Sequence, residues 1–327
     1  MKKILLIGGT GFLGSALARR LTSADFISPP RSQPRLAAPH GSGVGLGRPG
    51  ADFCGERRSA RNYCVTLPTR RRERAKHLTV LPTARVVQAD VHDEATLAQL
   101  MAGQDAVISL VGILKGNFQR THVELPEKIA RAAAAAGVPR LIHVSALAAA
   151  ADAPSAYLRS KGAGEVAVKA AYPAVTIFQP SVIFGRGDAF LTLFAALLKV
   201  APVVPLACPD ARFQPVWIED VVSAIVASLD NSASRGQTYP LCGPRIYSLR
   251  ELVAYTGKVS GHPRPILGLP QSLSYLQAWV MEFVPGGPMT RDNVRSMSVP
   301  NVCPAGCTLP FGLSAKALEA VAPGYLR

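Results

Sequence analysis

The chain is short of acid. Asp and Glu together number 21 against 36 Lys and Arg, giving a formal net charge of +15 over 327 residues. Such an excess suits anionic partners: a phosphorylated cofactor, an acidic lipid surface or nucleic acid. The last of these is not expected to be bound specifically, because zinc-finger spacing, a recognition-helix signal and a basic groove interleaved with aromatics are all lacking. Aromatics make up only 6% while hydrophobic residues make up 48%, so the core is expected to be large and aliphatic. Long unbroken apolar runs are missing too. The most apolar later stretch, Phe190 to Ala207, is interrupted by Lys199, Pro202 and Pro205, and reads as buried or amphipathic, with contact to a membrane surface as the further option. Of the six cysteines only Cys303 and Cys307 are near neighbours. A CxxxC without partner histidines gives no metal site, and ordinary thiols are expected. No leader precedes the first strand signal, so a cytoplasmic location is the expectation.

What is present is concentrated at the start. Ile4 to Ile7 form a nearly continuous apolar run, which suits a strand buried on both faces of a parallel sheet. Gly8, Gly9, Gly11 and Gly14 follow at once, with Phe12 and Leu13 between them. Leu13, Leu17 and Leu21 then recur at four-residue spacing, so a helix begins inside the glycine run. A turn without β-carbons lets backbone N–H groups and the positive end of a helix approach a phosphate, while Gly14 permits close helix–strand packing. Strand, glycine turn and helix in this order predict a dinucleotide site.

Residues Ser23 to Tyr63 are rich in Pro, Gly, Ser and Arg and lack either structural period, which predicts an irregular insertion in an otherwise ordinary crossover. Val65 to Pro68 is then the second strand, ending in Thr69, Arg70, Arg71 and Arg72. An acid at such a strand end would bond the adenosine ribose 2′-OH; arginine complements a 2′-phosphate instead. NADP(H) is therefore favoured, with NAD(H) as the alternative. Arg85 to Gln88 is the third strand, and Asp90, followed by Val91, stands where a carboxylate reaches an adenine amino group or caps the next helix. A helix from Glu94 to Met101, a fourth strand from Ala106 to Val111, Gly112 and a helix from Glu124 to Ala136 come next. At 112 a glycine lets the backbone pass close to a cofactor.

Arg140 to Ser145 is the fifth strand, and Ser145 occupies its carboxyl end, the edge where open α/β sheets gather function. Twelve residues on, Tyr157 and Lys161 stand one helical turn apart and share a face. A lysine ammonium beside a phenol is expected to lower the phenol pKa from about 10 toward neutrality, making Tyr157 a general acid or base, with Ser145 as a second donor to a substrate oxygen. His122 is a candidate for the same cleft. His143 reads as a packed strand residue, and Phe213 and Trp217 as pocket or core residues. Val175 to Phe178 is the sixth strand, running into Gln179, Pro180, Ser181 and Val182. Later signals are a helix entered near Asp220, a short strand at Tyr239 to Leu241 and a helix capped by Ser248 with Glu251. An amphipathic helix around Leu273 to Phe283, the phrase Arg291-Asp292-Asn293 and a final helix from Ser314 complete the chain.

GGTGFLG, the strand-end Ser145, YLRSK and QPSVIFG together resemble the extended short-chain dehydrogenase/reductase superfamily, its epimerase/dehydratase-like branch. Within it VGIL, HVSAL, APSAYLRSKGAGE and FQPVWIEDV resemble proteins related to the nucleotide-binding accessory subunit of respiratory complex I. The resemblance implies an α/β fold: a Rossmann-type doubly wound parallel sheet over residues 1–180, with a smaller C-terminal substrate lobe over 181–327 from which some segments return to the sheet. It implies pyrophosphate at Gly8, Gly11 and Gly14, the 2′-phosphate at Arg70, adenine at Asp90, the nicotinamide ribose at Lys161 and a nicotinamide pocket lined by Pro180 to Val182. Ser145, Tyr157 and Lys161 would be the catalytic set. Gln179 departs from the arginine common before that proline, and the 23–63 insertion departs in the first crossover. The expected function is an NADP(H)-dependent oxidoreductase, or an epimerase/dehydratase acting through transient oxidation, with hydride moving to or from a carbonyl or carbinol carbon of a small molecule, lipid-like or quinone-like given the apolar stretch. The alternative is a non-catalytic NADPH-binding structural or assembly protein of respiratory complex I or the quinone machinery, peripheral at the inner face of the membrane.

Overall fold

The structure, a computed structural model, describes residues 1–23, 63–284, 287 and 289–327. The insertion expected at 23–63 lies outside them apart from its two ends. β1 (Lys2–Ile7) shows why the first apolar run is continuous. Ile4 and Leu6 enter one core cluster while Leu5 and Ile7 enter another, so both faces of the strand are covered. Seven parallel strands make the central sheet. In chain order they are β1, β2 (Tyr63–Thr69), β3 (Ala84–Gln88), β4 (Ala106–Ser109), β5 (Leu141–Val144), β6 (Thr176–Pro180) and a late strand, Thr238–Leu241. Across the sheet the order is β3, β2, β1, β4, β5, β6 and then the late strand, so the direction of winding reverses between β1 and β4. That reversal opens a crevice at the carboxyl ends of these two strands.

Helices cover both faces. α1 (Phe12–Thr22) places Leu17 and Leu21 on the first cluster. α2 (Glu94–Met101) and α3 (Leu125–Ala135) place Leu97, Met101, Ile129 and Ala133 on the second, joined there by Val168 of α4 (Ala156–Ala171). Each fully buried Leu or Ile contributes about 1.5–3 kcal/mol, so the four- and two-residue apolar spacings of the sequence are what orient these elements.

Beyond β6 the chain forms small pairs: β7 (Ile183–Phe184) with β10 (Val216–Trp217), β8 (Val204–Leu206) with β13 (Ile266–Gly268), and β9 (Arg212–Phe213) with β12 (Tyr247–Ser248). The late sheet strand is β11. α5 (Phe190–Val200) and α7 (Leu249–Val259) build a third cluster with β8 through Leu191, Leu198, Val204 and Leu252. α6 (Ile218–Leu229) returns to the first cluster through Val221, Val222 and Ile225. α8 (Gln271–Glu282) and α9 (Arg291–Met297) follow. The expected capping box at Ser248 and Glu251 is formed. The expected final helix from Ser314 begins instead at Leu318, because Lys316 donates its backbone N–H to Asp220 from an extended segment. Cys303 is not a free thiol: it is disulfide-bonded to Cys242, while Cys307 remains free.

Candidate active site

The glycine turn is a close-packed object. A β-carbon at Gly14 would lie 2.4 Å from the Gly8 carbonyl oxygen and 2.5 Å from Gly9 Cα, so α1 rests directly on the turn it follows. Gly8 adopts φ +85°, and a β-carbon there would meet the Leu110 backbone at 3.1 Å, which brings the turn against the end of β4. At Gly11, the residue that precedes α1, only the Gly8 carbonyl at 3.4 Å comes near; the approach to the helix amino end stays open. Phe12 and Leu13 are half-buried beside it. These features fit a pyrophosphate on the backbone N–H groups of the first helical turn.

α4 lies across the end of the next strands. Its amino end is held twice. Ser155 accepts the Leu158 N–H at 3.1 Å, and the Asp292 carboxylate accepts the N–H groups of Ala156 and Tyr157 at 2.7 and 3.0 Å. Two glycines let the helix settle. A β-carbon at Gly162 would lie 2.7 Å from the Ala150 backbone, and one at Gly164 would lie 1.9 Å from the His122 carbonyl oxygen. Lys161 is thereby drawn under the helix, where its ammonium donates to the Val144 carbonyl at 3.0 Å, at the very end of β5. Its nitrogen is 4.0 Å from where a β-carbon of Gly112 would be, so β4, β5 and α4 converge on it. Ser145 follows Val144, and its hydroxyl is buried without a partner among the described residues, as are those of Ser109 Oγ and His143 Nδ1. Ser109 and His143 are register partners on β4 and β5. Buried orphan donors of this kind ask for a polar ligand.

Burial sets the electrostatics. The Tyr157 phenol is pushed up to about 12, and the Lys161 ammonium is pulled down to about 8 by its own desolvation, against the opposing pull of Glu165. The expected lowering of Tyr157 is therefore not what the structure gives. Lys161 spends a donor on Val144, and desolvation of the ring dominates. Glu165 is itself buried and accepts both contacts of the Gln179 amide, at 2.8 and 3.0 Å. Glutamine at 179 is neutral, so it leaves the Glu165 charge to Lys161.

The α3 helix of the sequence reading is preceded by a π-helical segment, Gln119–Glu124, which carries His122. His122 is buried and stacks edge-on to Tyr157 at 5.5 Å between ring centroids. The Ile113 N–H donates to its Nε2 at 3.0 Å; its Nδ1 is 2.8 Å from Ser160 Oγ, which donates to the Tyr157 carbonyl at 2.7 Å. All three bonds are satisfied only by the neutral ring protonated at Nδ1, and desolvation, then Lys161, hold its pKa near 4, at about 4 rather than 6.5. His143 is displaced in the same direction by burial.

The remaining candidates fall along the same edge. Arg70 is exposed just past β2. Asp90 lies past β3 and accepts the His92 N–H at 3.0 Å, while Val91 packs on the second cluster; the cap of α2 is Asp93, not Asp90. Pro180 ends β6 buried, and Val182 donates its N–H to Asn301 Oδ1 at 3.2 Å. Asn301 also accepts the Ser181 hydroxyl. Two residues that sequence reasoning missed are thus Asp292 and Asn301, and only the Arg291-Asp292-Asn293 phrase, already noticed without a role, could have drawn attention to the first. Among the described residues no three His, Cys, Asp or Glu converge as metal ligands. No described helix is long and apolar enough to cross a membrane.

The reversal between β1 and β4, the glycine turn and the strand-end serine define a Rossmann-type doubly wound fold, and part of the chain is similar to NAD(P)H-binding proteins. Residues 47–184 match the NAD(P)H-binding family. Among its sequence relatives is subunit 9 of the NADH dehydrogenase [ubiquinone] 1 alpha subcomplex of Mus musculus, 32% identical over 225 residues, which are 66% of this chain and 59% of that protein. Another is the ceramide reductase of Caulobacter vibrioides, 35% identical over 146 residues, 43% of this chain and 46% of that one. The chain thus spans roughly half the length of these two curated relatives. The NADPH-dependent quinone oxidoreductase of Escherichia coli, solved with NADPH, shares the fold at a TM-score of 0.70 and 19% identity, covering 99% of both chains.

Proposed function

We propose that the protein is an NADP(H)-binding oxidoreductase that reduces a carbonyl carbon, or oxidises a carbinol, of a lipid-like or quinone-like small molecule. The observation that carries this reading is the position of Lys161, buried between the carboxyl ends of β4 and β5 and next to the orphaned Ser145 hydroxyl. In this reading Gly8, Gly11, Phe12, Leu13 and Gly14 cradle the pyrophosphate, Arg70 meets the 2′-phosphate, and Asp90 with Val91 borders the adenine. Gly112, Lys161, Pro180 and Val182 border the nicotinamide end. Residues 181–327 supply most of the substrate lobe.

Bound there, a nicotinamide dinucleotide would supply or accept the hydride. The chain's own residues handle the proton. A phenol held at about 12 keeps its proton at neutral pH, which suits Tyr157 to donation toward a carbonyl oxygen as charge develops on it. Ser145 Oγ, with no other partner among the described residues, donates a second hydrogen bond to that oxygen. Lys161, charged at neutral pH, favours the phenolate left behind. The relatives support the substrate class: one is a reductase of ceramide, and a neighbour in fold is a quinone oxidoreductase.

A second reading is a non-catalytic NADPH-binding subunit or assembly factor of a respiratory complex, peripheral at a membrane. The likeness to complex I subunits favours it. Hydride transfer across a panel of long-chain ketones and quinones separates the two. The enzyme reading expects turnover that falls by about 10²–10⁴ in Tyr157→Phe with NADPH binding retained. NADPH that copurifies and stays unoxidised by every compound would favour the subunit. For the cofactor preference, Arg70→Ala is expected to weaken NADPH about tenfold and leave NADH unchanged, one charge-assisted contact being removed.

A further inference from the structure

α8 is built inside out. The residues it turns to the protein are small, Ser274 and Ala278, and Ser274 is tied down by bonds to Leu269, Pro270 and the Cys208 N–H. The side chains it turns to solvent are large and apolar. Leu276 is 51% exposed, Trp279 44% and Phe283, just past the helix, 72%; Leu273, Val280 and Val284 are exposed with them. At 100° per residue these six fall within one arc of the helix. A helix that folds to bury its own core residues has the opposite pattern.

The arc does not end with α8. Gln277 donates to the Pro205 carbonyl in β8, which pairs with β13, and Arg264 donates to the Leu198 carbonyl of α5. Along α5 Leu193, Leu197 and Val200 recur at helical spacing, all exposed, and Val203 and Leu267 continue the surface. α5, α8 and the strand pair β8–β13, which Gln277 ties to α8, thus each expose large apolar side chains, more than scattered surface leucines account for.

The charge around this surface selects the occupant. Cations border it: Lys199 on α5, Arg264 beside it, Arg250 bonded to the Ile266 carbonyl of β13, and Arg295 bonded to Tyr275 of α8. Against them stand Glu282, already paired with Arg291 at 2.9 Å, and Asp210. An aliphatic stripe carrying Trp and Phe with a cationic rim is the pattern of a helix lying in a lipid interface, where the apolar side chains enter the acyl boundary and the cations meet anionic headgroups.

We propose that the face formed by α5, β13 and α8 seats the protein on an anionic lipid bilayer. It gives a surface to the peripheral association in the functional reading above, and it stands whether or not the site turns over. α8 leads directly to the site: Glu282 is paired with Arg291, the next residue is Asp292, and Asp292 caps the helix of Tyr157 and Lys161. Lys115, in the loop past Gly112, donates to the Gly287 carbonyl between α8 and α9. A membrane-dissolved substrate would thus be presented beside the cleft.

The test uses the full chain with vesicles of phosphatidylcholine, alone or mixed with phosphatidylglycerol. Cosedimentation is expected with the mixed vesicles at least about tenfold more strongly than with phosphatidylcholine alone, and added salt should weaken it. Leu276→Glu with Val280→Glu should abolish it while NADPH binding, read in the same samples, stays unchanged. The chain has two tryptophans, so in a Trp217→Phe background brominated lipid should quench Trp279. Absence of binding to both vesicle types overturns the proposal. So does a dimer in solution that the two glutamates dissociate, which would make a second copy the occupant. Loss of NADPH binding would count against the cofactor site and leave the lipid result to be read by itself.

Discussion

The Asp292 carboxylate accepts the backbone N–H of Tyr157 at 3.0 Å, across 135 residues of chain. It takes the Ala156 N–H with its other oxygen, so one acid satisfies two of the unpaired donors at the start of α4 and places a negative charge at the positive end of the helix. Asp292→Ala should therefore cost about 1–2 kcal/mol of stability. Asp292→Asn, which keeps one acceptor oxygen, should cost less. A role confined to stability would leave kinetics intact in the folded fraction. As a positioning residue Asp292 predicts more, namely a fall in kcat for hydride transfer with NADPH affinity retained, largely rescued in the Asn variant. Thermal unfolding beside steady-state kinetics checks both.

His122 makes stability depend on pH in a stated direction. The fold needs the neutral ring, because Nε2 must accept from Ile113. Its pKa is depressed from 6.5 to about 4, so the contribution is complete above pH 6.5 and is lost as the pH falls toward 4. Between pH 7.5 and 5 this amounts to about 2 kcal/mol. His143 acts with the same sign. Urea unfolding at the two pH values should show a loss that shrinks by roughly half or more in His122→Gln relative to the parent. An unchanged slope would remove His122 from the account.

Lys161 offers a second pH signature. Its pKa of about 8 is set by desolvation, with Glu165 pulling the other way. If the ammonium is needed for proton transfer, activity falls on the alkaline side as Lys161 loses its charge. Glu165→Gln removes the charge that opposes desolvation at Lys161, so the alkaline limb should move to lower pH, by about half a unit to one unit. A pH profile of kcat for the two proteins reads the shift. A move to higher pH would mean that another group governs the limb.

These residues show where the sequence was legible. β1, its glycine turn and α1 were read correctly because each is specified by neighbours a few residues away, and the same holds for the capping box at Ser248 and for the α2 helix from Glu94 to Met101. The strands themselves followed because a parallel sheet buries its strands on both faces and leaves continuous apolar runs, although β4 stops at Ser109 rather than at Val111. What sequence reading lacked was reach and context. Asp292 and Asn301 act on segments more than a hundred residues away, so no local period marks them. The π-helical turn at His122 moves the helix start earlier than the apolar spacing indicates. The Tyr157 pKa was expected to fall because lysine was near in sequence, whereas burial, which sequence does not quantify, raises it.

The disulfide is the least expected of these long-range links, and it leads to the last prediction. Cys242 and Cys303, 61 residues apart, join the end of β11 to the segment that carries Asn301. Both are buried and pack with Leu147, two residues past Ser145. Closing a loop of that length stabilises a fold by about 4 kcal/mol in the chain-entropy account. Reduction, or Cys242→Ser with Cys303→Ser, should accordingly lower the unfolding temperature. It should also weaken NADPH, because Asn301 holds Ser181 and the Val182 N–H in place. The location expected from the sequence bears on whether the bond exists in the cell, since a reducing cytoplasm keeps most cysteines as thiols. Alkylation of thiols during lysis, followed by mass spectrometry, would decide it. Cys242 and Cys303 protected from the reagent while Cys64, Cys208 and Cys307 are labelled would establish the bridge as a structural clamp. Labelling of all five, with NADPH affinity unchanged on oxidation, would show that the packing around Leu147 holds this segment without it.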